Sequence, residues 1–536
     1  MAQVVVLQLR HVLHELLLPQ ASAVVSILLM IICPLLALLI VRRPLAAATA
    51  RRAREQLLSK LPSPPSRLPV IGHLHLVGSL PHVTLRDLAG KHAAGGLMLL
   101  RLGTVPNLVV SSPRAAQAIM RTHDHVFASR PTTAITDALL YGSSDIALGP
   151  YSEHWRQAKK LVTTHLFTVK KVHSYRHARE EEVCLVMAKI REAAAASTAV
   201  DIGEMMNTFA NDIISRAVSG KFFRAEGRNK LFRELANSNS VLLAGFNLED
   251  YFPGLANSLG FLTGWFMRTR IHKAHRRWDD MLEKIINDHE GRKSVPLHDQ
   301  ESDFTDVLLS VQQEYGITRD HIKAILIDMF GAGTDTSSLV LEYAMTELMR
   351  KPQLMTKLQA EVRRHTPKGQ EMVKEENLAS MVYLRAIVKE TLRLHPPLPL
   401  LLPHLSMADC VVDGYTIPPG VRVIVNAWAI SRDPELWEKP EEFMPERFMD
   451  GGSAVAIDYR GNDFQFVLFG AGRRICPGLN FGLAVVDIML ANLVYCFDWQ
   501  LPNGMEAKDI DMTEVFGLAV RPKVKLMLFP KPALAP

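Results

Sequence analysis

Residues 16–41 hold 26 consecutive positions without a charged side chain, a run that cannot be left in water. About 20 apolar residues span a bilayer as a helix, so the run is long enough to cross once. Pro19 is placed to start that helix and Pro34 to kink it, since proline lacks the N–H that a helix interior uses. Arg42, Arg43, Arg51, Arg52, Arg54 and Lys60 follow the run, whereas Arg10 precedes it with Glu15 opposing. That asymmetry leaves the rest of the chain on the cytosolic side. A cleaved signal peptide fits less well, because the run is long and lacks a small-x-small exit.

A stiff connector comes next. Residues 61–69 contain four prolines in nine positions, a composition that stays extended and semi-rigid. No second linker, repeat or low-complexity block follows. The expected organisation is a short lumenal segment over 1–15, a transmembrane anchor over 16–41, a basic, proline-rich hinge over 42–66, and one catalytic domain over 67–536. Within that domain the polar stretch 288–303 reads as a surface loop.

Composition narrows the function classes. Hydrophobic residues make up 48% and charged residues 22%, which is globular and not disordered. A net charge of +6 on 61 basic and 55 acidic residues is too small and diffuse for nucleic-acid binding. Cys33, Cys184, Cys410, Cys476 and Cys496 are odd in number and scattered, so no disulfide framework is implied and a reducing compartment fits.

The domain reads as mainly α with a small β-rich part. Residues 97–102 and 108–111 flank a Gly103-Thr104-Val105-Pro106 turn and predict a hairpin. Residues 421–426 and 524–529 are the other strand signals. One helix stands out: Thr318 caps it, Asp320 opens it, and its pattern runs to Arg350 before Pro352. At 1.5 Å per residue it is about 48 Å long and must cross most of the domain. Its middle reads Gly331-Ala332-Gly333-Thr334-Asp335-Thr336. Glycine inside a helix costs about 1 kcal/mol relative to alanine, so two of them mark a place where something approaches the backbone. Asp335 and Thr336 add an acid and an alcohol to an apolar span. A close helix crossing with a satisfied polar pair explains this segment equally well.

Glu390 and Arg393 share a helix face just before His395-Pro396-Pro397, and Arg447 follows in Pro445-Glu446-Arg447-Phe448. The most specific signal is Phe469-Gly470-Ala471-Gly472-Arg473-Arg474-Ile475-Cys476-Pro477-Gly478. Its glycines permit tight turns and the close approach of a flat ligand. Neighbouring arginines, turn amides and the start of the following apolar helix are expected to lower the pKa of the Cys476 thiol. His73-x-His75 and His123-Asp124-His125 lack a third ligand and carry no metal prediction.

Three of these segments together resemble the cytochrome P-450 superfamily. Phe469-x-x-Gly472-x-Arg474-x-Cys476-x-Gly478 is similar to its haem-binding loop. Ala332-Gly333-x-Asp335-Thr336 is similar to its oxygen-activating helix, and Glu390-x-x-Arg393 with Arg447 to its structural triad. The order and separations also match, and the anchor with its proline hinge resembles the plant microsomal type. The resemblance implies a cytochrome P-450 fold behind one N-terminal transmembrane helix, in the endoplasmic reticulum membrane with a cytosolic catalytic domain. It implies haem b, with Cys476 as the proximal thiolate ligand of the metal. Arg474 and Trp155 would meet a propionate, as would Lys159 and His404, which stand where relatives have arginine. Phe469, Gly472 and Gly478 would shape the loop.

The same resemblance gives Asp335 and Thr336 the handling of protons for dioxygen activation. Glu390, Arg393 and Arg447 would be structural. Electrons would come from NADPH through the membrane-bound NADPH–cytochrome P-450 reductase, with Arg473 a docking point for its acidic surface. Substrate contacts are expected from Ala332, Gly333, Leu400 and Phe516, within segments near 125–147, 233–247, 398–402 and 516–520. At finer grain, residues 123–127, 320–330, 400–404 and 512–517 resemble the grass monooxygenases that oxidise indole and indolinones in benzoxazinoid defence biosynthesis. Conversion of indole to indolin-2-one is the implied reaction, and hydroxylation of a later indolinone or benzoxazinone, or of another plant secondary metabolite, is its alternative. Relatives often carry an acid where Gly331 stands. A non-catalytic haem-binding membrane protein is the alternative of a different class.

Overall fold

A computed structural model describes residues 45–220, 223–224, 227–244, 248–292 and 302–533. The expected lumenal segment and anchor lie outside the described residues.

The chain folds as a mainly helical body with small sheets at its edge. Eight helices position the site: α1 (Leu45–Leu58), α2 (Pro81–His92), α3 (Glu153–Leu161), α4 (Ile202–Ser219), α5 (Arg228–Ala244), α6 (Arg319–Arg350), α7 (Val382–Leu394) and α8 (Leu479–Cys496). Helix α6 has the expected bounds. The Thr318 hydroxyl accepts from the His321 N–H, which satisfies one of the donors a helix start leaves open. It crosses the core against α4 and α8, and its length is covered on most sides by buried apolar residues. Helices α6 and α8 are each long and apolar enough to cross a membrane, yet both are mostly buried inside this body.

The segment expected as a hinge is partly helical. Helix α1 lies against the body: the Arg54 guanidinium donates to Pro419 O and Gly420 O, and Glu55 pairs with Arg101. Leu58 and Leu61 are buried in the core. The proline stretch then runs along strand β1 (Leu97–Leu102), with Leu99 N–H donating to Pro62 O at 2.7 Å. His73 fastens it from the other side, accepting from Arg101 N–H at 2.9 Å and bonding Pro64 O at 3.1 Å. Those two bonds make the imidazole a link between the proline stretch and β1.

Strand β2 (Val105–Val110) starts three residues earlier than expected, so the hairpin turn is Gly103-Thr104 alone. Gly103 takes φ +64°, where a side chain would be strained. Pro106 fits inside the strand because β2 pairs with β7 (Arg422–Val425) only from Asn107 onward, so the missing N–H breaks no ladder. The last strand, β11 (Met527–Pro532), begins three residues beyond the expected start. Pro530 and Pro532 masked it. They pair only with β8 (Phe497–Gln500), while β3 (Val200–Asp201) takes the other side at Met527 and Leu528. The stretch 288–303 is not all loop: residues 288–292 continue a helix, Asp303 caps the next one and is buried, and 293–301 lie outside the described residues.

Candidate active site

The loop before α8 closes on itself. Cys476 N–H donates to Phe469 O at 2.9 Å and Ile475 N–H to Gly472 O, so Phe469–Cys476 forms a compact hairpin-like turn. Gly472, at φ +60°, is obligatory: a Cβ there would stand 2.0 Å from Met120 O. At Gly478 a Cβ would reach no closer than 4.0 Å to the Cys476 sulfur.

Cys476 is surrounded by protein, yet its side chain is exposed. Its free surface therefore faces an internal space. A second observation places α6 across that space. Gly482, near the start of α8, approaches Ser337 Oγ of α6. In the same stretch of α6 Ala332 is exposed although Phe330, Thr334 and Asp335 are buried. Thr336 is half-buried, and its hydroxyl donates to Ala332 O at 2.6 Å. Gly333 faces the other way, into α4, where a Cβ would meet Ile214 Cδ1 at 2.5 Å. The expected tight approach at Gly333 is thus a helix crossing, while Ala332 and Thr336 border the space.

Asp335 also turns away from the space. Its Oδ1 accepts from Asn207 Nδ2 of α4 at 3.1 Å and its Oδ2 from Ser240 of α5 and from Arg521. The acid and the alcohol are adjacent in sequence, yet about 100° apart around α6 they reach different partners.

Around the loop sits a buried cationic cluster. Arg474 donates to Ala128 O, Ile146 O and Gly149 O, and its guanidinium lies 3.9 Å above the Trp155 ring. Trp155 Nε1 donates to Ile146 O at 2.9 Å, and Lys159 Nζ to Ile475 O at 2.6 Å. Burial brings Lys159 down to about 8. Burial first, and then Arg130, brings Arg474 down to about 9. Arg130 itself was not singled out by the sequence; it donates to Ala147 O, Leu402 O and Pro403 O and is brought down to about 10 by burial. His404 is buried and held neutral, near 3, by burial and by Arg130, and its Nδ1 bonds Phe127 O at 2.8 Å. The nearby carboxyls are Asp145 and Asp328, both pushed above the usual range, by burial first. Asp328 accepts from Ile146 and Ala147 N–H, tying this loop to α6.

One expectation is corrected. The Cys476 thiol is pushed up, not down, because burial outweighs Lys159 and the Gly478 and Leu479 amides. The arginines do not act on it: Arg474 is spent on carbonyls and Arg473 pairs with Asp124. A bound cation at the sulfur would reverse that balance.

The expected structural triad is assembled. Arg393 Nε and Nη2 grip Glu390 at 2.8 and 2.9 Å, and Arg447 Nε reaches Glu390 Oε1 at 3.1 Å, with all three side chains fully buried. Arg393 and Arg447 also donate to the carbonyls of 431, 438, 440 and 442, fixing the coil that leads to the cysteine loop. Leu400 packs on the β1–β2 sheet, and Phe516 stacks on His82 at 6.1 Å.

The sequence matches the cytochrome P450 family model over residues 62–529. The chain belongs to the cytochrome P450 family. It is 53% identical to the indole-2-monooxygenase of Zea mays, over 98% of this chain and 99% of that protein. It is 51% identical to the indolin-2-one monooxygenase of Zea mays, over 91% of this chain and 92% of that one. It is 49% identical to the 3-hydroxyindolin-2-one monooxygenase of Zea mays, over 96% and 95%. The structure superposes on a zebra fish cytochrome P450 solved with progesterone at a TM-score of 0.70 and 25% identity, covering 84% of this chain and 99% of that one.

This cytochrome P450 is therefore a monooxygenase of a haem-bearing family, and its residues fit haem on two counts. A thiol with free internal surface lies beside a helix whose exposed alanine leaves room for a flat ring. Arg130, Lys159 and Arg474 form a buried positive cluster whose nearest carboxyls are pushed toward protonation, which suits a doubly anionic group.

Proposed function

We propose that this cytochrome P450 inserts one atom of dioxygen into indole, giving indolin-2-one. The observation that carries the reading is near-end-to-end similarity, at 53%, 51% and 49% identity, to three maize enzymes named for indole, indolin-2-one and 3-hydroxyindolin-2-one. All three share a small bicyclic ring, and the indole enzyme covers the chain most fully. Electrons come from NADPH through the reductase, and residues 16–41 anchor the enzyme in the endoplasmic reticulum membrane.

Haem held by a cysteine thiolate supplies the activation of dioxygen. The chain's own residues do the rest. Cys476 would ligate the metal, its backbone held in place by the bond from its N–H to Phe469 O. Arg474, Trp155 and Lys159 would hold the propionates, and Arg130 would supply the guanidinium fork that His404 lacks. Thr336 holds a proton at its Oγ1 on the ring side of α6, and Asp335 takes protons up from the solvent side. Ala332, Leu400 and Phe516 bound the substrate space, while Gly333 packs against α4. Similar identity to all three relatives favours one second reading, a later indolinone as substrate. Membranes containing the protein, reductase and NADPH, offered the three compounds separately, test both. Fastest turnover of indole supports the first; preference for either indolinone replaces it with the second.

A further inference from the structure

Strands β9 (Glu514–Val515) and β10 (Arg521–Pro522) pair with each other and close the loop 516–520. Three attachments set where that loop lies. Val520 N–H donates to Pro397 O at 2.9 Å. Ala519 packs on Leu339 and Tyr343 of α6, one and two turns past Thr336. The third is Glu514, whose carboxylate meets side chains from three other parts of the fold. Its Oε1 accepts from Tyr343 OH at 3.2 Å and lies 4.0 Å from His395 Nδ1, and its Oε2 lies 3.5 Å from His82 Nε2. His82 is fully buried at the start of α2, and its ring is the surface on which Phe516 stacks, with the Trp428 edge behind it at 4.9 Å. His395 is stacked on Tyr343 and bonds Glu347 of α6 at 2.9 Å. Burial would raise the Glu514 carboxyl, but the two imidazoles beside it bring it down to about 2, so it stays charged.

We propose that Glu514 is a positioning residue for substrate selection: through His82 it fixes how far Phe516 enters the substrate space. This rests on the reading that Phe516 bounds that space. A ring wall held by one carboxylate–imidazole contact determines the depth to which a flat bicyclic substrate can enter, and so which ring carbon is presented to the oxygen. A shift of about one methyl group in such a wall changes discrimination roughly tenfold to a hundredfold.

The test uses the full chain in membranes with reductase, as wild type, Glu514→Gln, His82→Gln, the double variant and Phe516→Ala. Imidazole and 4-phenylimidazole are titrated by their haem absorption shifts, and indole products are resolved by ring position. We expect Glu514→Gln to keep the reduced carbon monoxide absorption and wild-type imidazole affinity. Its 4-phenylimidazole affinity should move about tenfold in the direction of Phe516→Ala, with the double variant no further displaced. Unchanged 4-phenylimidazole affinity in Glu514→Gln, or full additivity in the double variant, would overturn the proposal. If Glu514→Gln fails to hold haem, His82→Gln, which keeps the Tyr343 bond, decides by the same readout. Absence of any indole product from the wild type counts against the indole reading, while the ligand affinities still decide the role of Glu514.

Discussion

Arg521, on an edge strand, forms a salt bridge to Oδ2 of Asp335 in the middle of the longest core helix of the site. The arginine is the more exposed partner, at 44% against 12% for the aspartate side chain. The pair therefore links the core of the enzyme to its surface. Thr336, the next residue, stands about 100° further round the helix, on the same face as the exposed Ala332.

The proposed role of Asp335 is to relay protons from the surface side of α6. Asp335→Asn should lower product formation by about a hundredfold, a typical loss for removing a positioned acid. Arg521→Gln should have a smaller effect in the same direction, because Asn207 and Ser240 still hold the carboxylate. Product and peroxide are measured together against NADPH consumed; an Asp335→Asn enzyme with wild-type turnover would refute the assignment.

The buried ion triad is expected to be structural. Replacing Arg447 by leucine leaves the fully buried Glu390 with Arg393 as its remaining ion partner, and removal of one partner from such a group costs about 3–5 kcal/mol. Haem content per protein and the thermal midpoint should both fall. Arg447→Lys should not rescue, since a lysine cannot reach Glu390 and the carbonyls of 438 and 442 together.

Two glycine substitutions should separate sharply. Gly472→Ala combines a positive φ with a 2.0 Å clash against backbone and should abolish haem binding. Gly331→Ala meets nothing within 4 Å and replaces a helix-interior glycine, so it should add about 1 kcal/mol of stability. Thermal unfolding of both variants checks the contrast.

Glu342 gives the fold a pH dependence. Burial, and then Asp201, raises its carboxyl to about 7 from an ordinary 4.5. A carboxyl raised on folding favours the folded state while protonated. Its contribution is full below about pH 4.5 and is lost as pH rises through about 7, about 3 kcal/mol in all. Glu342→Gln should match the wild-type thermal midpoint at pH 5 and exceed it at pH 8. Equal midpoints at both would show that the carboxyl is not held in this way.

Much of this was legible in the chain. Thr318 and Pro352 bracket α6 because capping and helix breaking are local properties. The cysteine loop was legible because its glycines and arginines are contiguous. Arg130, Arg521 and Glu514 were not, since each gains meaning from a partner far away: Arg521 meets Asp335 across 186 residues and Arg130 meets Leu402 across 272. The two-residue strands β3, β9 and β10 are too short to show a period. The direction of the Cys476 shift is not legible in the chain, because the arginines beside it in sequence point elsewhere in space and burial leaves no such local mark.

The most direct measurement is indole turnover under heavy-isotope dioxygen, in membranes carrying the protein, reductase and NADPH. The expected product is indolin-2-one with one labelled oxygen atom, with none from a Cys476→Ala variant. Label drawn from water, or full activity in that variant, would contradict it.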